Sequence, residues 1–195
     1  MIDEPVRILL VSGSMRAGSS NTAVLRTLQA MTPPDVRADL YEGLAALPHF
    51  NPDDDYEPLH PAVSVLRAGI AAAGAVVFCT PEYAGALPGS FKNVLDWTVG
   101  GGEIYGKPVA WINASSAAAP TGGADAHDSL RKVLGYTGAE IIEDACVRIP
   151  VARQMIEADG LIRDSAVRAA LAEALAAVVA RIRQPPRADT ADLPM

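Results

Sequence analysis

Only two of the 195 residues are cysteine, and they do not form a Cys-x-x-Cys pair. Cys79 and Cys146 each sit in an apolar run, where a thiol reads as a small core filler rather than half of a disulfide or a nucleophile. Histidine is scarce too. His49, His60 and His127 are too far apart in sequence to share a metal-ligand spacing, so no metal site is expected. Lys and Arg together number 16 against 23 Asp and Glu, a formal net charge of −7. That balance argues against a duplex-DNA binder, which needs a basic face to replace counterions. It leaves room for one ligand phosphate held by a single Arg and a helix start. No apolar run is long enough to cross a bilayer. The opening Met1-Ile2-Asp3-Glu4-Pro5 lacks the basic and apolar parts of a signal peptide. The expectation is a cytoplasmic protein with neither membrane nor nucleic-acid partners.

Half of the residues are hydrophobic, many of them Ala and Val, over a length that suits one domain with a sizeable core. Residues 6–11 (Val-Arg-Ile-Leu-Leu-Val) read as a central parallel strand. A loop of small hydroxyl residues follows, then a helix with Val24, Leu25, Leu28 and Met31 on one face, capped by Ser20 or Asn21 and stopped by Pro33-Pro34. Residues 36–41 alternate apolar and polar, as an edge strand does. A long polar loop with the acidic run Asp53-Asp54-Asp55 reads as solvated. Val63, Leu66, Ile70 and Ala73 mark a second helix.

The stretch from Thr80 to Trp97 organises the rest. It leaves the apolar run Ala75–Cys79, a buried strand, and passes through the turn residues Pro81, Gly85 and Pro88-Gly89. It then becomes a helix with Pro88 in its first turn and Phe91, Val94, Leu95 and Thr98 on one face. Phe91 and Trp97 read as core. Residues 108–112 form a further apolar strand. Leu130, Val133, Leu134 and Thr137 mark a helix closed by Gly138 at its C′ position. Residues 139–149 read as the last extended segment, and Val167, Leu171, Leu175, Val178 and Ile182 mark the last helix. The proline-containing tail, residues 184–195, carries no core pattern and is expected to be disordered after a single domain spanning 1–183. Strands alternating with helices predict an α/β, doubly wound five-stranded parallel sheet in the order 2-1-3-4-5, with helices on both faces. That order puts a ligand where the first and third strands end.

Two loops leave those strands. In the first, Ser12, Ser14, Ser19 and Ser20 offer hydroxyls, Gly13 and Gly18 allow close backbone approach, Arg16 adds a charged donor, and a helix begins at its end. The competing reading is an ordinary serine-rich turn. A Walker loop is excluded because its Gly-Lys-Ser/Thr ending is replaced by Ser-Ser-Asn, and the dinucleotide fingerprint because no Gly lies between Gly13 and Gly18. With no Cys in the loop, a cysteine-dependent phosphatase is also excluded. The loop is suited to holding a phosphate rather than transferring it. In the second loop, residues 81–85 offer backbone amides and Tyr83 to a flat heteroaromatic ligand. Glu82 and Tyr83 have no paired His or second carboxylate, which leaves them outside acid–base chemistry.

Taken together, Gly13-Ser-Met-Arg16-Ala-Gly-Ser19-Ser20-Asn21 and Thr80-Pro81-Glu82-Tyr83, with Pro88-Gly89, Lys92-Asn93 and Leu95-Asp96-Trp97, resemble the two signatures of the NADPH-dependent FMN reductase family. Gly106-Lys107-Pro108 and Gly122-Gly123 also match, so the resemblance runs over residues 6–138. It implies a flavodoxin-like fold, non-covalent FMN, and homodimers or dimers of dimers. By resemblance Ser14, Arg16, Ser20 and Asn21 would hold the FMN phosphate. Pro81, Glu82, Tyr83 and Ala84 would lie along the isoalloxazine, and Ser115 and Ser116, with the loop to Gly122 and Gly123, would close its other edge. Many members carry Asn where this chain has Ala84.

The activity so implied is an FMN-dependent NAD(P)H oxidoreductase. Hydride would pass from NADPH or NADH to flavin N5, then to a small-molecule acceptor: a quinone, an azo compound, a metal oxyanion or free flavin. The chemistry would be carried by the cofactor, with no catalytic acid–base pair in the chain. Two other classes compete. One is a flavodoxin-like electron carrier, against which Arg16 counts; the other is a non-catalytic flavin-binding sensor.

Overall fold

The computed structural model describes residues 5–114 and 120–185. Strand β1 (Val6–Ser12) leads into helix α1 (Ser20–Ala30), followed by β2 (Val36–Tyr41), α2 (Pro61–Ala72), β3 (Ala75–Cys79) and α3 (Gly89–Asp96). Then come β4 (Pro108–Asn113), α4 (Ala124–Tyr136), β5 (Glu140–Ile141), β6 (Val147–Arg148) and α5 (Ser165–Arg183). The pairings are parallel and the order is β2-β1-β3-β4-β5, with β6 also alongside β4. This is the flavodoxin-like sheet expected from the alternation of elements.

The two-residue period of the strands builds two core layers. Ile8, Leu10, Val77, Cys79 and Ile112 face α1 and α5, while Leu9, Val11, Val76, Phe78 and Trp111 face α2, α3 and α4. Every residue of β3 is buried. The α3 stripe packs as its periodicity requires, and Phe91 and Trp97 are wholly buried. Helix α4 ends in a Schellman motif: Gly138 has φ +69°, its N–H donates to Gly135 O at 3.2 Å, and Ala139 N–H reaches Leu134 O at 3.0 Å.

Four expectations need correcting. The last extended segment is not one strand. A 3-10 turn over Glu143–Ala145 divides it into β5 and β6. Glu143 is drawn outward to Arg131, whose guanidinium also lies 5.1 Å over the Trp111 ring. The N-cap of α1 is Ser19, not Ser20 or Asn21. Pro88 is itself the N-cap of α3, because its ψ of 141° is extended, and the helix starts at Gly89. The acidic run is only partly solvated. Asp53 and Asp54 are exposed, but Asp55 binds Arg67 at 2.6 Å, with both side chains about nine-tenths buried. The residues of the expected tail from 186 onward lie outside those described.

Candidate functional site

The carboxyl ends of β1 and β3 meet where Gly13 N–H donates to Cys79 O at 2.8 Å. Gly is required there by proximity. A Cβ at position 13 would come 2.7 Å from Thr80 Cβ and 2.9 Å from Phe91 Cγ. From this junction the β1–α1 loop and the β3–α3 loop enclose a cavity of about 190 Å³.

Of the residues expected to bind a ligand, Ser14, Arg16, Ser19, Ser20 and Asn21 line it from the first loop and Pro81 and Tyr83 from the second. Ser19 caps α1 through its backbone, accepting from Ala23 N–H at 2.9 Å, and its side chain makes no bond back to the helix. The amides of the first helical turn are therefore left for a ligand, at the positive end of the helix dipole. Asn21 is buried and its Oδ1 accepts from the Cys79 thiol at 3.3 Å. That orients the amide nitrogen toward the cavity that Asn21 lines. Burial pushes the Cys79 thiol far above its ordinary range, which keeps it a neutral donor.

Other expected residues take supporting positions. Ser12 is buried, shares a 2.9 Å hydrogen bond with Thr22, and accepts from Ser14 N–H at 3.3 Å, so it shapes the loop from beneath. Glu82 turns away from the cavity. Its carboxylate accepts from Thr121 Oγ1 at 2.7 Å and from Ala126 N–H at 3.3 Å, joining the β3–α3 loop to the start of α4. Gly122 and Gly123, with φ of +59° and +83°, form the turn into that helix. Ala84 and Gly85 are the centre of a tight turn in which Tyr83 N–H donates to Ala86 O and Ala86 N–H to Tyr83 O, at 3.0 and 3.1 Å. Ser115 and Ser116 lie outside the described residues.

Gly18, expected to let the backbone approach closely, also lines the cavity, and the sequence reading missed two lining residues: Ala114 and Arg153. Arg153 opens a short 3-10 helix, Arg153–Met155, more than a hundred positions from the loop it joins. Among the described residues neither Arg16 nor Arg153 has a carboxylate partner, although most other arginines do. An open helix start, hydroxyls, a buried amide and two guanidiniums without a carboxylate partner make a donor-rich lining with no Asp or Glu in it. It suits a phosphate rather than a cation.

A second polar cluster lies beyond Glu82. His127 packs edge-on to Trp111 at 5.7 Å, and its Nε2 is buried with no hydrogen-bond partner among the described residues. Burial, then the charge of Arg148, lowers its pKa from 6.5 to about 4, so it is neutral at physiological pH. Cys146, half-buried, is raised to about 11 chiefly by burial, which removes it as a nucleophile.

A family model described as NADPH-dependent FMN reductase matches residues 6–154. An NAD(P)H-dependent FMN reductase of Pseudomonas aeruginosa is 31% identical over 185 residues, 94% of this chain and 98% of that protein. A quinone reductase of Escherichia coli is 32% identical over 144 residues, 72% of this chain and 76% of its own length. Among solved structures, a flavoenzyme NAD(P)H:(acceptor) oxidoreductase of Paracoccus denitrificans superposes with a TM-score of 0.76 at 26% identity, covering 89% of this chain and 96% of that one.

Proposed function

Because the chain belongs to the NADPH-dependent FMN reductase family, and is with it an NAD(P)H-dependent flavin oxidoreductase, we propose that it reduces quinones from an FMN seated between the β1–α1 and β3–α3 loops. The observation that carries the seat is the open α1 start beside Arg16 in a cavity that Pro81 and Tyr83 share. When bound, FMN would supply the redox chemistry that links the nicotinamide to the acceptor. Ser14, Arg16, Ser20 and Asn21 hold the phosphate. Pro81, Tyr83 and Ala84 line the ring through the backbone. The Glu82 carboxylate ties that loop to α4, which leaves its backbone to face the ring. Gly122 and Gly123 carry the chain past the ring's other edge.

Quinones are the acceptor class of several relatives: the quinone reductase of Escherichia coli and a 2-hydroxy-1,4-benzoquinone reductase of a Burkholderia species, 31% identical over 159 residues. The proposal includes one domain over residues 1–183, a cytoplasmic location, and a homodimer or dimer of dimers. Exposed Val65, Val99, Tyr105 and Tyr136, all on or beside the helices α2, α3 and α4, are the side chains through which that association would form.

The test is an anaerobic absorbance titration of the purified chain. The flavin band should bleach on adding NADPH or NADH and return on adding a benzoquinone. A band that bleaches but does not recover with quinones would remove them as acceptors. No band after reconstitution with FMN would overturn the cofactor seat.

A further inference from the structure

The cavity at the phosphate end is not closed by the β1–α1 loop alone. The chain between β6 and α5 returns over it as a strap. Ile149 N–H donates to Asn113 O at 2.8 Å, fixing one end to the tip of β4. Val151 is buried, and Ile156 pairs with Ile162 in an antiparallel bridge. Ile162 is wholly buried, and its N–H donates at 2.9 Å to Thr27 Oγ1 on α1. Between these anchors the 3-10 turn places Arg153 against the loop, its guanidinium 3.9 Å from where a Cβ on Gly18 would lie. Asp159 of the strap pairs with Arg163 at 2.5 Å, and among the described residues Arg153 has no carboxylate within ion-pair distance.

We propose that Arg153 is a ligand of the cofactor phosphate and the residue that makes the site select a terminal phosphate monoester. This rests on the FMN seat proposed above. A second guanidinium reaching the cavity from a separate segment suits a group with three oxygens and up to two negative charges. Arg16 and the α1 amides alone could serve a phosphodiester, which carries one charge. With Arg153 added, FMN is favoured over riboflavin, which has no phosphate, and over FAD, in which each phosphate has one ester and one anhydride bond and carries a single charge. Asn21, buried with its amide nitrogen left to the same cavity, is an independent sign that an acceptor belongs there.

The experiment is a fluorescence titration of the full-length apoprotein with FMN, riboflavin and FAD, on the wild type, Arg153→Gln, Arg153→Lys and Arg16→Gln. Losing a charge-assisted hydrogen bond should weaken FMN binding to Arg153→Gln about 10- to 100-fold and leave riboflavin binding unchanged, so the preference for FMN falls by the same factor. Arg153→Lys, which keeps the charge and loses the fork, should fall between. An equal loss for FMN and riboflavin would make Arg153 a structural residue and overturn the proposal. A loss in Arg16→Gln but not in Arg153→Gln would also overturn it, while the β1–α1 seat stands. No loss in either would remove both.

Discussion

Ala84 occupies a conformation that suits other residues better. Its φ is +50° and that of Gly85 is +69°, so both central positions of the Tyr83–Ala86 turn are left-handed, the signature of a type I′ turn. A Cβ there costs about 1–2 kcal/mol, and Asn is the side chain that bears the cost best. The Asn that the resemblance implies at this position would suit the backbone here, independent of any contact with the flavin. Ala84→Asn should stabilise the protein by about 0.5–1 kcal/mol, a rise of about 1–4 °C in Tm. A Tm that falls in a scanning calorimeter would mean that the Asn side chain clashes in this loop. The departure was visible in the sequence, since Ala84 stands where the resemblance implies Asn. Its cause was not, because φ is set by the two reciprocal hydrogen bonds across the turn. Glu82 was equally half-legible. Its place in the loop was evident, but its partner Thr121 is 39 positions away.

Apart from its short 3-10 turn and one bridge, the strap has no regular structure, and single bonds tie it to the body. Thr27 carries one of them. Its hydroxyl donates to Ala23 O at 2.8 Å and accepts from Ile162 N–H. Thr27→Val keeps the shape and strands a buried N–H, which should cost about 1–3 kcal/mol, read as a lower urea midpoint with an unchanged m-value. A loss under about 0.5 kcal/mol would place a water at Ile162. The helices were legible because apolar residues at helical spacing leave little choice, and β1 and β3 because a short apolar run between turns suits a buried strand. The β5–β6 break was not, since Glu143 leaves the sheet for Arg131, a pairing that only the packing of α4 beside β4 creates. Arg153 was hidden for a similar reason. It lies outside both signature loops, and no local pattern marks an arginine that folding brings back to residue 18.

Across the whole molecule, one buried cation ties the long β2–α2 loop to the body. Arg67 on α2 binds Asp55 at 2.6 Å, donates to Trp97 O at 2.9 Å, and lies 3.8 Å from Glu103. Arg67→Met would leave two carboxylates without their counter-charge and should cost about 3–5 kcal/mol. Combined with Asp55→Asn, the loss should be smaller than the sum of the two, because the pair acts as a unit. Strict additivity in a denaturant double-mutant cycle would mean that the pair contributes no coupling. The strap has a consequence on the same scale. A ribosome delivers the chain from its N-terminus, so the serine loop and Arg16 emerge early, whereas the link from Ile162 to Thr27 spans 135 positions and forms only near the end of translation. A nascent chain halted before β6 already carries the serine loop but not the strap, so the wall of the cavity that Arg153 supplies is added only once the C-terminal third has docked.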